Sequence, residues 1–107
     1  AKEYDYLKKV IKKVEVKNSA KEIFDAQFKE YEQLEEVTLP NTITTIGPQA
    51  FSKCYNLEAI NLPTNITKIE WKTFEECESL KNISIPEEVT TIGNAAFSGC
   101  ISLQNIH

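Results

Sequence analysis

A 23-residue period decides what this chain can fold into. Phe28, Phe51, Phe74 and Phe97 each stand 23 residues from the last, and Cys54, Cys77 and Cys100 keep the same step. Leu34, Leu57, Leu80 and Leu103 do so too, as do Pro40, Pro63 and Pro86, and Ile46, Ile69 and Ile92. Self-similarity at such a period is the mark of a stacked repeat, in which each unit is one turn of chain that cannot bury its apolar side alone. With 107 residues the whole chain, 1–107, reads as a single repeat domain: a helical cap and degenerate repeat over 1–30, then regular repeats over 31–107.

Within one unit, Leu34-x-x-Val37-x-Leu39 alternates apolar and polar positions, the pattern of a short strand with one buried face. Pro40 follows and ends it, because proline cannot donate to a ladder. Ile43-Thr44-Thr45-Ile46 is β-branched throughout and predicts a second short extended piece. Gly47-Pro48 turns the chain, with Pro48 suited to the first position of a helical turn. Ala50, Phe51 and Cys54 are then spaced to point inward. Stacked in register, such units form one continuous apolar column.

The N-terminal stretch departs from the pattern. Lys2 to Lys13 carries Leu7, Val10 and Ile11 at helical spacing, which predicts a helix over the open end of the stack. Ser19 with Glu22 has the form of a capping box, and Ile23, Gln27, Tyr31 and Leu34 are spaced to share a helical face. One period back from the first regular repeat, Ile11, Val14 and Val16 match Leu34, Val37 and Leu39, and Tyr31 takes the cysteine position. Lys8-Lys9 and Lys12-Lys13 read as a solvated face.

The stretches LEEVTLPNTITTIGPQAFSKC, LEAINLPTNITKIEWKTFEEC and LKNISIPEEVTTIGNAAFSGC resemble the BspA-like, or treponemal-class, leucine-rich repeats. The resemblance is strong over residues 31–107 and weak over 11–30. It implies an α/β solenoid, a right-handed superhelix with a parallel sheet on its concave side and short strands and helical turns elsewhere. It also implies a surface or secreted protein engaged in adhesion or protein binding. Glu70 stands where that family has glycine and is followed by Trp71, which predicts a local change in that turn.

If Val37 and Leu39 point inward, Glu36 and Thr38 point outward. The same phase exposes Ala59 and Asn61, Asn82 and Ser84, then Asn105 and His107, with Lys13 and Glu15 from the degenerate repeat. These small polar side chains form a candidate partner-binding face; the competing reading is that they only solvate the sheet. Trp71 is either a ring packed flat on the outer surface or an exposed anchor for a partner. The phenylalanines read as core. The cysteines read as three buried reduced thiols, since stacked side chains point the same way and do not suit a disulfide. A metal site needs denser ligand spacing, and His107 is the only histidine. No catalytic arrangement or cofactor-binding loop is visible. Net charge is −4 with Lys and no Arg, which disfavours a nucleic-acid partner. No apolar run is long enough to insert in a membrane. The chain begins at Ala1, lacks Met and shows no signal peptide, as expected of a mature product or a piece of a longer one. Asn65 and Asn82 begin sequons that matter only in a eukaryotic secretory protein. The function expected is a non-enzymatic interaction or adhesion module with a protein partner, a host extracellular protein being the candidate class. The other reading is a structural spacer or self-assembling unit, associating through Leu103 and Ile106.

Overall fold

A computed structural model describes residues 2–106. After a helix, α1 (Lys2–Val10), the chain winds through four rungs of two short strands and an arc of turns, then enters a fifth with one strand. The first strands of successive rungs are β1 (Lys13–Glu15), β3 (Glu36–Thr38), β5 (Ala59–Ile60), β7 (Asn82–Ile83) and β9 (Asn105–Ile106). The second strands are β2 (Glu22–Ile23), β4 (Thr45–Ile46), β6 (Lys68–Ile69) and β8 (Thr91–Ile92). Every pairing is parallel and in the register set by the period: Val14 opposite Val37 opposite Ile60, Ile23 opposite Ile46, Ile69 opposite Ile92, and Ile83 opposite Ile106. Parallel strands require a crossover between them, and here the rest of each rung supplies it.

The third side of each rung is the arc. A helical turn after Gly47-Pro48 was expected, but the chain instead makes consecutive tight turns. Ala50 N–H donates to Gly47 O at 3.3 Å, Ser52 N–H to Gln49 O at 3.1 Å and Cys54 N–H to Phe51 O at 3.3 Å. The intervening amides point to the next rung: Gln49 to Trp71 O at 3.0 Å, Phe51 to Thr73 O at 2.9 Å and Lys53 to Glu75 O at 2.7 Å. Alternation of this kind needs left-handed backbone. It recurs with the period at Ala26, Gln49, Lys72 and Ala95, and again at Glu30, Lys53, Glu76 and Gly99. Only Gly99 has the residue that adopts this conformation without a steric penalty.

The core lies between the three sides. Leu34, Leu57 and Leu80 form one fully buried column, and Ile43 with Ile66 forms another. The phenylalanines stack face to face with planes within 10° of parallel and centroids 5.5, 5.7 and 5.6 Å apart. Their inward placement was expected, and so was that of Cys54 and Cys77. Cys100 is only half-buried because it sits in the last complete arc. Each thiol donates to the carbonyl of a phenylalanine in the rung before: Cys54 to Phe28 at 3.2 Å, Cys77 to Phe51 at 3.2 Å, Cys100 to Phe74 at 3.0 Å. Among the described residues no buried side-chain nitrogen or oxygen lacks a hydrogen-bond partner.

The N-terminal region needs two corrections. Glu22 and Ile23 form a strand, and residues 24–33 form an arc, so Ile23, Gln27, Tyr31 and Leu34 share no helical face and Ser19 caps no helix. Pairing of β2 with β4 and of the arc with Ala50 and Ser52 outcompetes the local helical pattern. Helix α1 does form, but Leu7 and Val10 remain 44% exposed, and of its apolar set only Ile11, just past its end, packs on the core.

Candidate functional site

Strand alternation places the candidate residues. In β3, Val37 is buried while Glu36 and Thr38 are exposed; in β5, Ile60 is buried and Ala59 exposed. Asn61 follows, also exposed. In β7, Ile83 is buried and Asn82 exposed, with Ser84 exposed beyond it. The register sets Glu36 beside Ala59 and Asn82 beside Asn105. Rungs about 4.8 Å apart therefore present two parallel columns of side chains to solvent. His107 lies outside the described residues.

Regular strand pairing along this face is interrupted once. Glu36, Thr38, Ala59 and Asn61 border one groove of about 300 Å³, which Glu35 and Glu58 complete. Regular strand pairing stops at β5 and resumes from β7 to β9; Lys81 N–H to Glu58 O at 3.4 Å joins the two rungs, and Asn82 and Ser84 lie one rung beyond the groove. Glu35 and Glu58 were not among the candidate residues that strand alternation picks out. The signal that could have found them is their own 23-residue spacing. Three carboxylates, from Glu35, Glu36 and Glu58, give the groove negative charge, while Thr38 and Asn61 offer neutral hydrogen-bonding groups.

Trp71 keeps a large part of its surface in solvent. The ring is 44% exposed, and the Lys72 ammonium sits 4.8 Å from its centroid, within cation–π range. Lys72 also pairs with Glu75 at 3.5 Å. Trp71 lies at the start of an arc, on a different side of the rung from the strand columns. Asn65 and Asn82 are both exposed. Burial pushes the Cys54 thiol up to about 12 and raises Cys77 and Cys100 as well, so all three hold their protons at neutral pH. Among the described residues no group of three or more His, Cys, Asp or Glu side chains is placed to hold a metal ion. No helix among them is long and apolar enough to cross a membrane.

No curated protein matches the chain. Solved structures do. A leucine-rich cell surface protein from Faecalibacterium prausnitzii is 28% identical with a TM-score of 0.79, over 91% of this chain and 32% of its own. A leucine-rich repeat protein from T. pallidum is 30% identical with a TM-score of 0.84, over 88% of this chain and 44% of its own. One from Bacteroides ovatus, 20% identical with a TM-score of 0.60 over 91% of this chain and 37% of its own, shares the fold. The chain thus spans less than half the length of these relatives. Residues 2–107 match the BspA type leucine rich repeat region, in 6 copies. With its register, its phenylalanine stack and its arcs all keeping that repeat, the chain belongs to the BspA-type leucine-rich repeat family.

Proposed function

We propose that this chain is a non-enzymatic protein-binding module of a surface or secreted protein, and that it binds through the outward side of its first-strand column. One observation carries the reading: Glu36, Thr38, Ala59, Asn61, Asn82 and Ser84 are all exposed, on parallel strands or directly after them. Asn105 and His107 continue the columns in sequence. A repeating array of side chains on stacked parallel strands suits recognition of an extended protein surface. The resemblance supports placing this face on the concave side of a right-handed superhelix. The Faecalibacterium relative, named a cell surface protein, supports the location. Negative charge around the groove favours a partner that presents basic or hydrogen-bond-donating groups there.

The test has two stages. Host extracellular proteins are passed over the immobilised chain, and the affinity of the captured partner is measured for the wild type and for a variant carrying Asn61→Lys, Asn82→Lys and Ser84→Lys. Lost binding with an unchanged melting curve supports the face. Undiminished binding excludes it, and a parallel Trp71→Ala variant then asks whether the ring is the anchor.

The second reading, a self-associating or spacer unit, is favoured by the exposure of Ile92, Ile101 and Ile106 on the last rungs. A further rung, from a longer parent chain or from a second copy, would cover them. Sedimentation over a wide concentration range decides between these: a strict monomer at the highest concentration removes self-association.

A further inference from the structure

The second-strand ladder is closed from β2 to β4 and from β6 to β8, but open between β4 and β6. Where it is closed, a glycine follows the upper strand. Gly47 N–H donates to Ile23 O at 2.9 Å, and Gly93 N–H donates to Ile69 O at 2.6 Å. Neither position has room for a side chain: a β-carbon on Gly47 would lie 2.7 Å from Asp25 N, and one on Gly93 would lie 2.5 Å from Trp71 N. Those neighbours are backbone and cannot swing aside. Where the ladder is open, the corresponding residue is Glu70. The two bonds that its rung would make, from Thr67 N–H to Thr44 O and from Glu70 N–H to Ile46 O, are absent, whereas Thr44 and Thr90 each donate at 2.9 Å to the rung before. A cleft of about 230 Å³ lies there instead, lined by Thr44, Thr45, Ile46, Thr67, Lys68 and Glu70.

We propose that the β-carbon of Glu70 wedges this seam open and makes the rung that carries β6 a built-in flexing point of the solenoid. The arc ladder across the same rungs stays closed, through Gln49, Phe51 and Lys53, and acts as the hinge. The first strands of the same rungs, β3 and β5, also stay paired, so the opening is confined to the second-strand side of this seam.

Amide hydrogen exchange read residue by residue on the intact chain tests this. In the wild type, the amides of Thr67 and Glu70 exchange at least tenfold faster than those of Thr44 and Gly47, or of Thr90 and Gly93. Glu70→Gly slows exchange at Thr67 and at position 70 to the level of those counterparts, whereas Glu70→Ala, which keeps the β-carbon, leaves it fast. Equal protection at all three seams in the wild type overturns the flexing point. Closure by alanine as well as by glycine overturns the wedge, because the side chain beyond the β-carbon would then be responsible.

Discussion

Phe74 lies between Phe51 and Phe97, its ring centroid 5.7 Å from one and 5.6 Å from the other, and none of its surface reaches solvent. Truncation to alanine leaves a void between two rings that the arc ladders hold in place, so the site cannot collapse. Phe74→Ala is expected to cost about 3–5 kcal/mol, read as a lowered urea midpoint. An unchanged midpoint would mean that the ring is not core. The neighbouring thiols give a pH dependence. Burial raises Cys54 from its ordinary 9.0 to about 12, and raises Cys77 further. Above pH 9 the unfolded chain releases these protons while the folded chain keeps them, so stability present below pH 9 is lost as pH climbs toward 12. The expected slope is about 1.4 kcal/mol per pH unit for each buried thiol. A variant with Cys54→Ala and Cys77→Ala starts less stable but declines less steeply over that window. Lysine and tyrosine titration is common to both proteins and cancels in the difference, so equal slopes would mean that the thiols are not held protonated by burial.

At the scale of elements, the period made the columns and their register readable before any coordinates. Identical residues in phase can share one dry interior only if the rungs lie in register, and Val37 facing Ile60 follows from that alone. The arcs were not readable in the same way. Pro48, Ala50, Phe51 and Cys54 have spacing compatible with a helical turn, and the residues that bend the chain left-handed, such as Gln49, Lys53 and Glu76, do not favour that conformation by type. The next rung imposes it by accepting the alternate amides. Helix α1 shows the converse: its pattern predicts the helix but not whether anything covers Leu7 and Val10. Nor did the polar strand positions reveal that the groove would draw in Glu35 and Glu58, which depends on the space between rungs. Inter-rung spacing also sets the cost of changing Gly93. A methyl group there meets the backbone of Trp71. Gly93→Ala should therefore part β6 from β8 and destabilise the fold by about 1–3 kcal/mol, the usual range for overpacking. Chemical denaturation measures it, and a neutral result would show that adjacent rungs separate freely at this corner.

For the whole molecule, the strand face is small relative to the task proposed for it. Among the described residues its first-strand column holds five strands, β1, β3, β5, β7 and β9, and a strand of this length has room for about two outward positions. At about 4.8 Å per rung and about 3.3 Å per residue the face measures roughly 24 by 10 Å. That is well below the about 800 Å² per partner of a stable protein–protein interface. A face of this size binds weakly, and useful affinity requires more rungs in register, as the relatives' greater lengths allow. Affinity should then rise with the number of contiguous rungs, because each added rung extends one surface instead of adding a separate site. For a partner captured as above, an in-register tandem of this chain should bind more than tenfold tighter than the single chain. Two independent sites for a monovalent partner would improve apparent affinity only about twofold, since they add occupancy without adding contact to any one complex. Calorimetry with the partner as titrant separates these outcomes. One partner per tandem with much tighter binding places recognition on the continuous face, whereas two partners per tandem at unchanged affinity place it on a feature confined to a single rung, for which Trp71 is the candidate.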